Sequence, residues 1–173
     1  RDGITPSKYF PDCVYVKLRD AVALNAIDLS NFGLEYYLNR GVWEDMSAPF
    51  WISFMAVGQT KEERMEEYRN CAKALKKTRM RFHPFGVQVN ISCFNTGLDL
   101  TMLLDEVSEG LNILSTIGVP LQPKINILTP IEVAIEIAKN RNCDSICQSN
   151  AIPYLSYLSK LPEPWWRSTF GYR

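Results

Sequence analysis

The sequence predicts an α/β fold of parallel βα units. Three observations carry this: apolar runs at near-constant spacing, a helix-start signal after each of the first three, and no alternating polarity within them. The runs are "FWISFMAV" from Phe50, "GVQVNIS" from Gly86 and "LQPKINIL" from Leu121, with a shorter "DSICQS" from Asp144. Trp51 to Gly86 is 35 residues, and Gly86 to Leu121 is again 35. So regular a repeat favours a (β/α)8 TIM barrel over an open doubly wound sheet. No glycine-rich dinucleotide fingerprint follows any strand. Eight such units need roughly 250 residues, and the 173 present supply four to five. The expectation is a single domain over residues 1–173, a partial barrel.

Taken in order, "CVYVKL" near the N-terminus reads as a strand and Gly33–Asn39 as a short helix. After the Phe50 run, Thr60 and Glu63 form a T-x-x-E capping box, and Met65, Tyr68, Ala72 and Leu75 recur at helical spacing. After the Gly86 run, Asp99 can cap a helix with an apolar face of Leu100, Leu103, Leu104, Val107, Leu111 and Leu114; Gly118 and Pro120 stop it. After the Leu121 run, Thr129, Pro130 and Glu132 start a helix carrying Val133, Ile135 and Ala138, with proline at its first position.

Composition narrows the function classes. Nineteen basic and nineteen acidic residues balance, so there is no electrostatic footprint for nucleic acid or an anionic membrane. No apolar run reaches the length of a bilayer span. The five cysteines include no CxxC pair, which speaks against a disulfide framework or zinc site and fits a reducing, cytoplasmic setting. His83 is the single histidine, which counts against histidine-dependent triads and multi-histidine metal sites. The chain opens on Arg1 rather than methionine, and the expectation is a trimmed chain or a fragment.

In a parallel barrel the functional groups sit at the C-terminal ends of strands. Asn90, Ser92, Cys93 and Asn95 hold that place after one strand and Asn150 after another, while Lys124 lies inside an apolar one. Each has an ordinary structural role open to it. Asparagines satisfy loop backbone groups, a buried cysteine behaves as a small hydrophobe, and a lysine can snorkel from a sheet edge. Their convergence on one barrel mouth favours a site. An asparagine's paired donor and acceptor match the alternating C=O and N–H edge of a pyrimidine or an isoalloxazine. A lysine beside a flavin's N1–C2 edge stabilises negative charge on the reduced ring, and a cysteine of suitable pKa takes a proton.

Through these residues the sequence resembles the dihydroorotate dehydrogenase family, FMN-containing (β/α)8 barrels that oxidise dihydroorotate to orotate. "NISCFNTG" is similar to the family pattern N-[ILV]-S-[CS]-P-N. The resemblance makes Cys93 the catalytic base and gives Asn90 and Asn95 to the pyrimidine, with Asn90 also beside the cofactor. "PKINIL" resembles the family's V-K-L-x-P strand, which makes Lys124 the flavin-binding lysine. "CQSNAIPY" resembles its N-[ST] element and "LNAIDLSNFGLEYYL" its N-x-x-G-L-x-N-x-G loop, adding Asn150 and Asn25 as substrate contacts. Cysteine at position 93 resembles the soluble class of the family.

The likeness spans nearly the whole chain in the correct order. It departs at Phe94, where the family has proline, at Ala151 for Thr or Ser, and at Asp28 for glycine. "RDG" at the start resembles the segment after the family's second strand, so the first strand region and the C-terminal phosphate-binding units are expected to be missing. The resemblance implies proton abstraction from C5 of a dihydropyrimidine and hydride transfer from C6 to FMN, with no metal. Two alternatives stand beside it. One is a non-catalytic partial-barrel remnant that binds no flavin; the other is a dihydropyrimidine dehydrogenase-type enzyme of the same superfamily. The implied partners are a small pyrimidine and either a second copy of the chain or missing barrel segments.

Overall fold

The computed structural model describes residues 14–17, 22–25, 32–91 and 100–148, with the first two segments, Leu100 and Thr101 described as backbone only. The chain divides into two compact units, Arg1–Tyr37 with Pro153–Arg173, and Leu38–Ile152.

In the first unit, Val14–Lys17 (β1) and Val22–Asn25 (β2) pair antiparallel, with Val14 opposite Asn25 and Lys17 opposite Val22. The expected "CVYVKL" strand is therefore present, but its partner was not foreseen. Only four residues separate β1 from β2, far too few for the crossover that a parallel partner requires, so the chain must return antiparallel. Phe32 stacks on Tyr36 with ring centroids 4.3 Å apart, and Tyr37 meets Tyr36 edge-on at 5.5 Å. Helix α1, Leu34–Arg40, runs across the division between the units, and its Leu38 is buried.

The second unit is built on four parallel strands in sequential order: Phe50–Phe54 (β3), Phe85–Asn90 (β4), Leu121–Ile125 (β5) and Cys147–Gln148 (β6). Between them lie Lys61–Thr78 (α2), Leu100–Ser115 (α3) and Ile131–Ala138 (α4). The strand order never reverses. With right-handed crossovers, that order places all three helices on one face, whereas a doubly wound sheet reverses direction and uses both.

Register and burial agree with this arrangement. Phe54 of β3 packs edge-on against Tyr68 of α2 at 5.6 Å, and Phe50 stacks on its register partner Phe85 at 5.9 Å. Ile52, Val87, Val89, Leu121 and Ile125 share that face and are buried against Leu75, Leu111, Leu114 and Val133 from the helices.

The opposite strand positions tell a different story from the one the sequence suggested. Along β5 the residues alternate buried and half-buried, and in β4 Gln88 and Asn90 break an otherwise buried run. The strands therefore do alternate, with Trp51, Ser53, Gln88, Asn90, Gln122 and Lys124 on the face away from the helices. Short polar insertions such as "VQVN" and "LQPK" were masked by flanking β-branched and apolar residues.

The helices form where the sequence placed them, with corrections at α4. The Thr60 capping box is complete: its Oγ1 accepts from the Glu63 amide at 3.2 Å, and the Thr60 amide donates to the Glu63 carboxylate at 3.1 Å. Gly118, at φ +75°, closes the α3 C-terminal turn as expected. Pro130 stands one position before α4 rather than inside it, with φ −55° and ψ 142°. An Asx turn sets that entry: the buried Asn126 accepts from the Leu128 amide at 2.8 Å, and its carbonyl accepts from Thr129 at 3.0 Å. The buried face of α4 is Val133, Ala134 and Ile137, so Ile135 and Ala138, expected inward with Val133, are instead exposed. The "DSICQS" run yields only the two residues of β6. Asp144 starts the pairing from the loop, accepting from the Leu121 amide at 2.8 Å and donating its own amide to the Leu121 carbonyl at 3.0 Å.

Candidate functional site

The C-terminal ends of β4, β5 and β6 bring three side chains into one row. Asn90 is the register partner of Lys124, and Lys124 is the register partner of Cys147. Paired residues of adjacent parallel strands project to the same face, on strands about 4.8 Å apart. The Ile91 amide donates to the Lys124 carbonyl at 3.0 Å, so the pairing is maintained up to the rim. Lys124 is half-buried, and its ammonium makes no hydrogen bond or ion pair with another described residue. A partly desolvated ammonium beside an amide and a thiol is a seat for an anionic or electron-rich group.

One step deeper on the same face lies a second polar row. Gln88 Nε2 donates to Gln122 Oε1 at 2.8 Å, and Gln122 Nε2 donates to Ser145 Oγ at 2.9 Å. This ladder links β4 and β5 to the segment leading into β6, each member two positions before a member of the rim row. Deeper still, the indole of Trp51 lies over Gly86, where a Cβ would come within 2.3 Å of the ring. Trp51 is nevertheless 45% exposed.

The loop after β3, in contrast, is tied down by its own helix. The amides of Val57 and Gly58 donate to Glu67 at 2.5 and 3.2 Å, and those of Gln59 and Thr60 to Glu63 at 2.7 and 3.1 Å. Arg64 donates through Nη1 to the Gly58 and Gln59 carbonyls at 2.8 and 3.1 Å, and it holds the buried Glu106 of α3 through Nε and Nη2. These loop amides already face carboxylates, so an external anion is served better at Lys124.

Of the residues singled out in the sequence, the structure brings together Asn90 and Lys124. Asn25 ends β2 in the other unit, opposite Val14. Cys93, Asn95 and Asn150 lie outside the described residues, as do Asp28, Phe94 and Ala151. Sequence reasoning missed Gln88, Gln122, Ser145 and Cys147. The signal for the first two was there, because "VQVN" and "LQPK" place each glutamine two residues before an already suspected one. Nothing marked Ser145 or Cys147, since β6 is too short to show a period.

Two cysteine thiols are held neutral. Burial pushes Cys71 up to about 12. Cys143 is raised by burial and by the neighbouring Asp144, against a lowering contribution from the Ser145 carbonyl that its thiol approaches at 3.5 Å. Neither belongs to the rim row. A groove of about 330 Å³ between α3 and α4 is lined by Asp105, Ser108, Glu136 and Lys139. It lies on the helical side, and its polar groups are engaged with one another, as in Lys139 to Glu136 at 2.6 Å and Asn140 to Ser108 at 2.9 Å. Concavity alone does not make it the site. Among the described residues no group of three or more His, Cys, Asp or Glu could hold a metal, and no helix is long and apolar enough to cross a membrane. Compared with known proteins, the chain matches no family model, no curated sequence and no solved structure.

Proposed function

We propose that this chain is an FMN-dependent oxidoreductase of the dihydroorotate dehydrogenase type, acting on a dihydropyrimidine. The observation that carries the reading is the rim row. A half-buried lysine without a described partner stands in register with Asn90, at the C-terminal ends of parallel strands whose helices lie on one face. Sequential parallel order with single-sided helices is what a (β/α)8 barrel is made of, and its ligand site is at that end of the strands. The open polar face would then line the barrel interior.

The residues fit a flavin by their chemistry. Lys124, whose ammonium has no partner among the described residues, would set a cation at the electron-rich edge of the ring, with Asn90 in register beside it. When bound, FMN supplies a two-electron acceptor. Cys93 would take the proton from C5 of the substrate, general-base catalysis that typically contributes about 10²–10⁴-fold. Asn95 and Asn150 would orient the pyrimidine ring so that the C5 and C6 bonds align. The test is anaerobic reduction of the flavin-loaded protein by dihydroorotate, compared with dihydrouracil, in the wild type and in Cys93→Ala. The reading expects bleaching by dihydroorotate in the wild type, none in Cys93→Ala, and equal flavin content in both. Unchanged bleaching in Cys93→Ala removes Cys93 as the base, and preference for dihydrouracil moves the chain to the dihydropyrimidine dehydrogenase type.

A further inference from the structure

The ladder beneath the rim row has a consequence for Lys124. Gln122 and Lys124 are the two half-buried residues of β5 and project to the same face, because Leu121, Pro123 and Ile125 between and around them are buried on the other. The Gln122 amide is gripped on both sides, accepting from Gln88 and donating to Ser145. Gln88 and Ser145 stand in the same relation to Asn90 and Cys147. Every member of the ladder is neutral. A carboxylate in place of Gln122 would lie two residues from the lysine on the same face of β5, about 7 Å along the strand, and would compensate its charge. Elsewhere in this unit, bases that face a carboxylate engage it: Arg64 with Glu106, Lys61 with Glu109, Arg81 with Glu44.

We propose that the Gln88–Gln122–Ser145 ladder is a positioning layer for Lys124. It braces β4, β5 and the segment leading into β6 under the rim through hydrogen bonds while supplying no countercharge, which leaves the ammonium available to a ligand with negative or electron-rich character. Gln122 is the central positioning residue and acts through Lys124. The inference rests on the reading of Lys124 as a ligand-facing group.

The experiment compares the wild type with Gln122→Glu and Gln122→Met, each also in a Lys124→Met background. Three quantities are measured: FMN affinity by fluorescence titration, stability by urea unfolding, and the rate of Lys124 acylation in a brief acetic anhydride pulse, read by mass spectrometry against the exposed Lys73. Gln122→Glu keeps the shape and adds the countercharge. It is expected to slow Lys124 acylation severalfold and to weaken FMN by roughly tenfold, the value of one charge-assisted hydrogen bond, with no effect on FMN in the Lys124→Met background. Gln122→Met breaks the ladder and is expected to alter Lys124 acylation as well as stability. If both variants lower stability while Lys124 acylates at the wild-type rate relative to Lys73, the ladder is a cross-strand brace only and the proposal is overturned. An equal FMN loss with and without Lys124 overturns it too. Should the wild type bind no FMN while Gln122→Glu still protects Lys124 from acylation, the ladder inference stands and the flavoprotein reading falls.

Discussion

Arg64→Met is the substitution with the largest effect expected from this fold. The guanidinium holds both oxygens of Glu106, with Nη2 to Oε2 at 2.8 Å, and two carbonyls of the β3–α2 loop. The Glu106 hydrogen bond raises Arg64 further above its ordinary value, so the base is charged at every accessible pH. Glu106 is 4% exposed. Removing Arg64 strands a buried carboxylate, and breaking one side of such a pair costs about 3–5 kcal/mol. Glu106→Gln keeps the shape and one acceptor, and its cost is smaller, about 1.5–3 kcal/mol. The double variant Arg64→Met/Glu106→Leu replaces the pair with apolar groups of similar volume and should recover most of the loss. Urea unfolding reads this as a shift of midpoint at constant slope. In a chain of this size, 3–5 kcal/mol corresponds to a fall in Tm of roughly 6–20 °C. Single variants each within about 0.5 kcal/mol of the wild type, or a double variant equal to the sum of the singles, would refute the reasoning.

Further outcomes follow from burial and caps. Gly86→Ala should cost about 1–3 kcal/mol by driving a methyl into the Trp51 ring, and the cost should disappear in a Trp51→Ala background. Thr60→Ala should cost about 1 kcal/mol, as the loss of an N-cap does, read by thermal unfolding. Stability should fall on the alkaline side. Cys71 is raised from 9.0 to about 12, and Tyr68 is raised by burial and by the Glu106 charge. Both must stay protonated in the fold, so their contribution is full below about pH 9, the unfolded thiol's value, and is lost as the pH climbs toward 12. Cys71→Ala should flatten that slope in pH-dependent urea titrations. In native alkylation mapped by mass spectrometry, the half-buried Cys147 should label well before the buried Cys71.

The helical side of the fold was legible in the sequence because its signals are local. The Thr60–Glu63 box, the Leu111/Leu114 spacing and the Gly118 stop each act within one or two turns. The β1–β2 hairpin was not legible, because its partner strand "VALN" is short and carries no turn signal that periodicity could register. The second face of the sheet was hidden for a different reason. Gln88 and Gln122 are single polar residues between β-branched and apolar neighbours, and their meaning comes from cross-strand register, which a sequence does not display. The same holds for Cys147, which joins Lys124 only through a two-residue strand. Asn90 and Lys124 could be suspected from chemistry alone, since an amide and a cation at strand ends ask for a ligand. The hydrogen bonds of Asn126 were not anticipated, and they moved Pro130 out of α4.

The most direct test of the functional account is the visible absorption spectrum of the purified chain after incubation with FMN and removal of the excess, for the wild type and for Lys124→Met. The account predicts a bound flavin spectrum in the wild type and weakened retention in Lys124→Met at unchanged unfolding midpoint. A colourless wild-type protein, or flavin held equally by both, would contradict it.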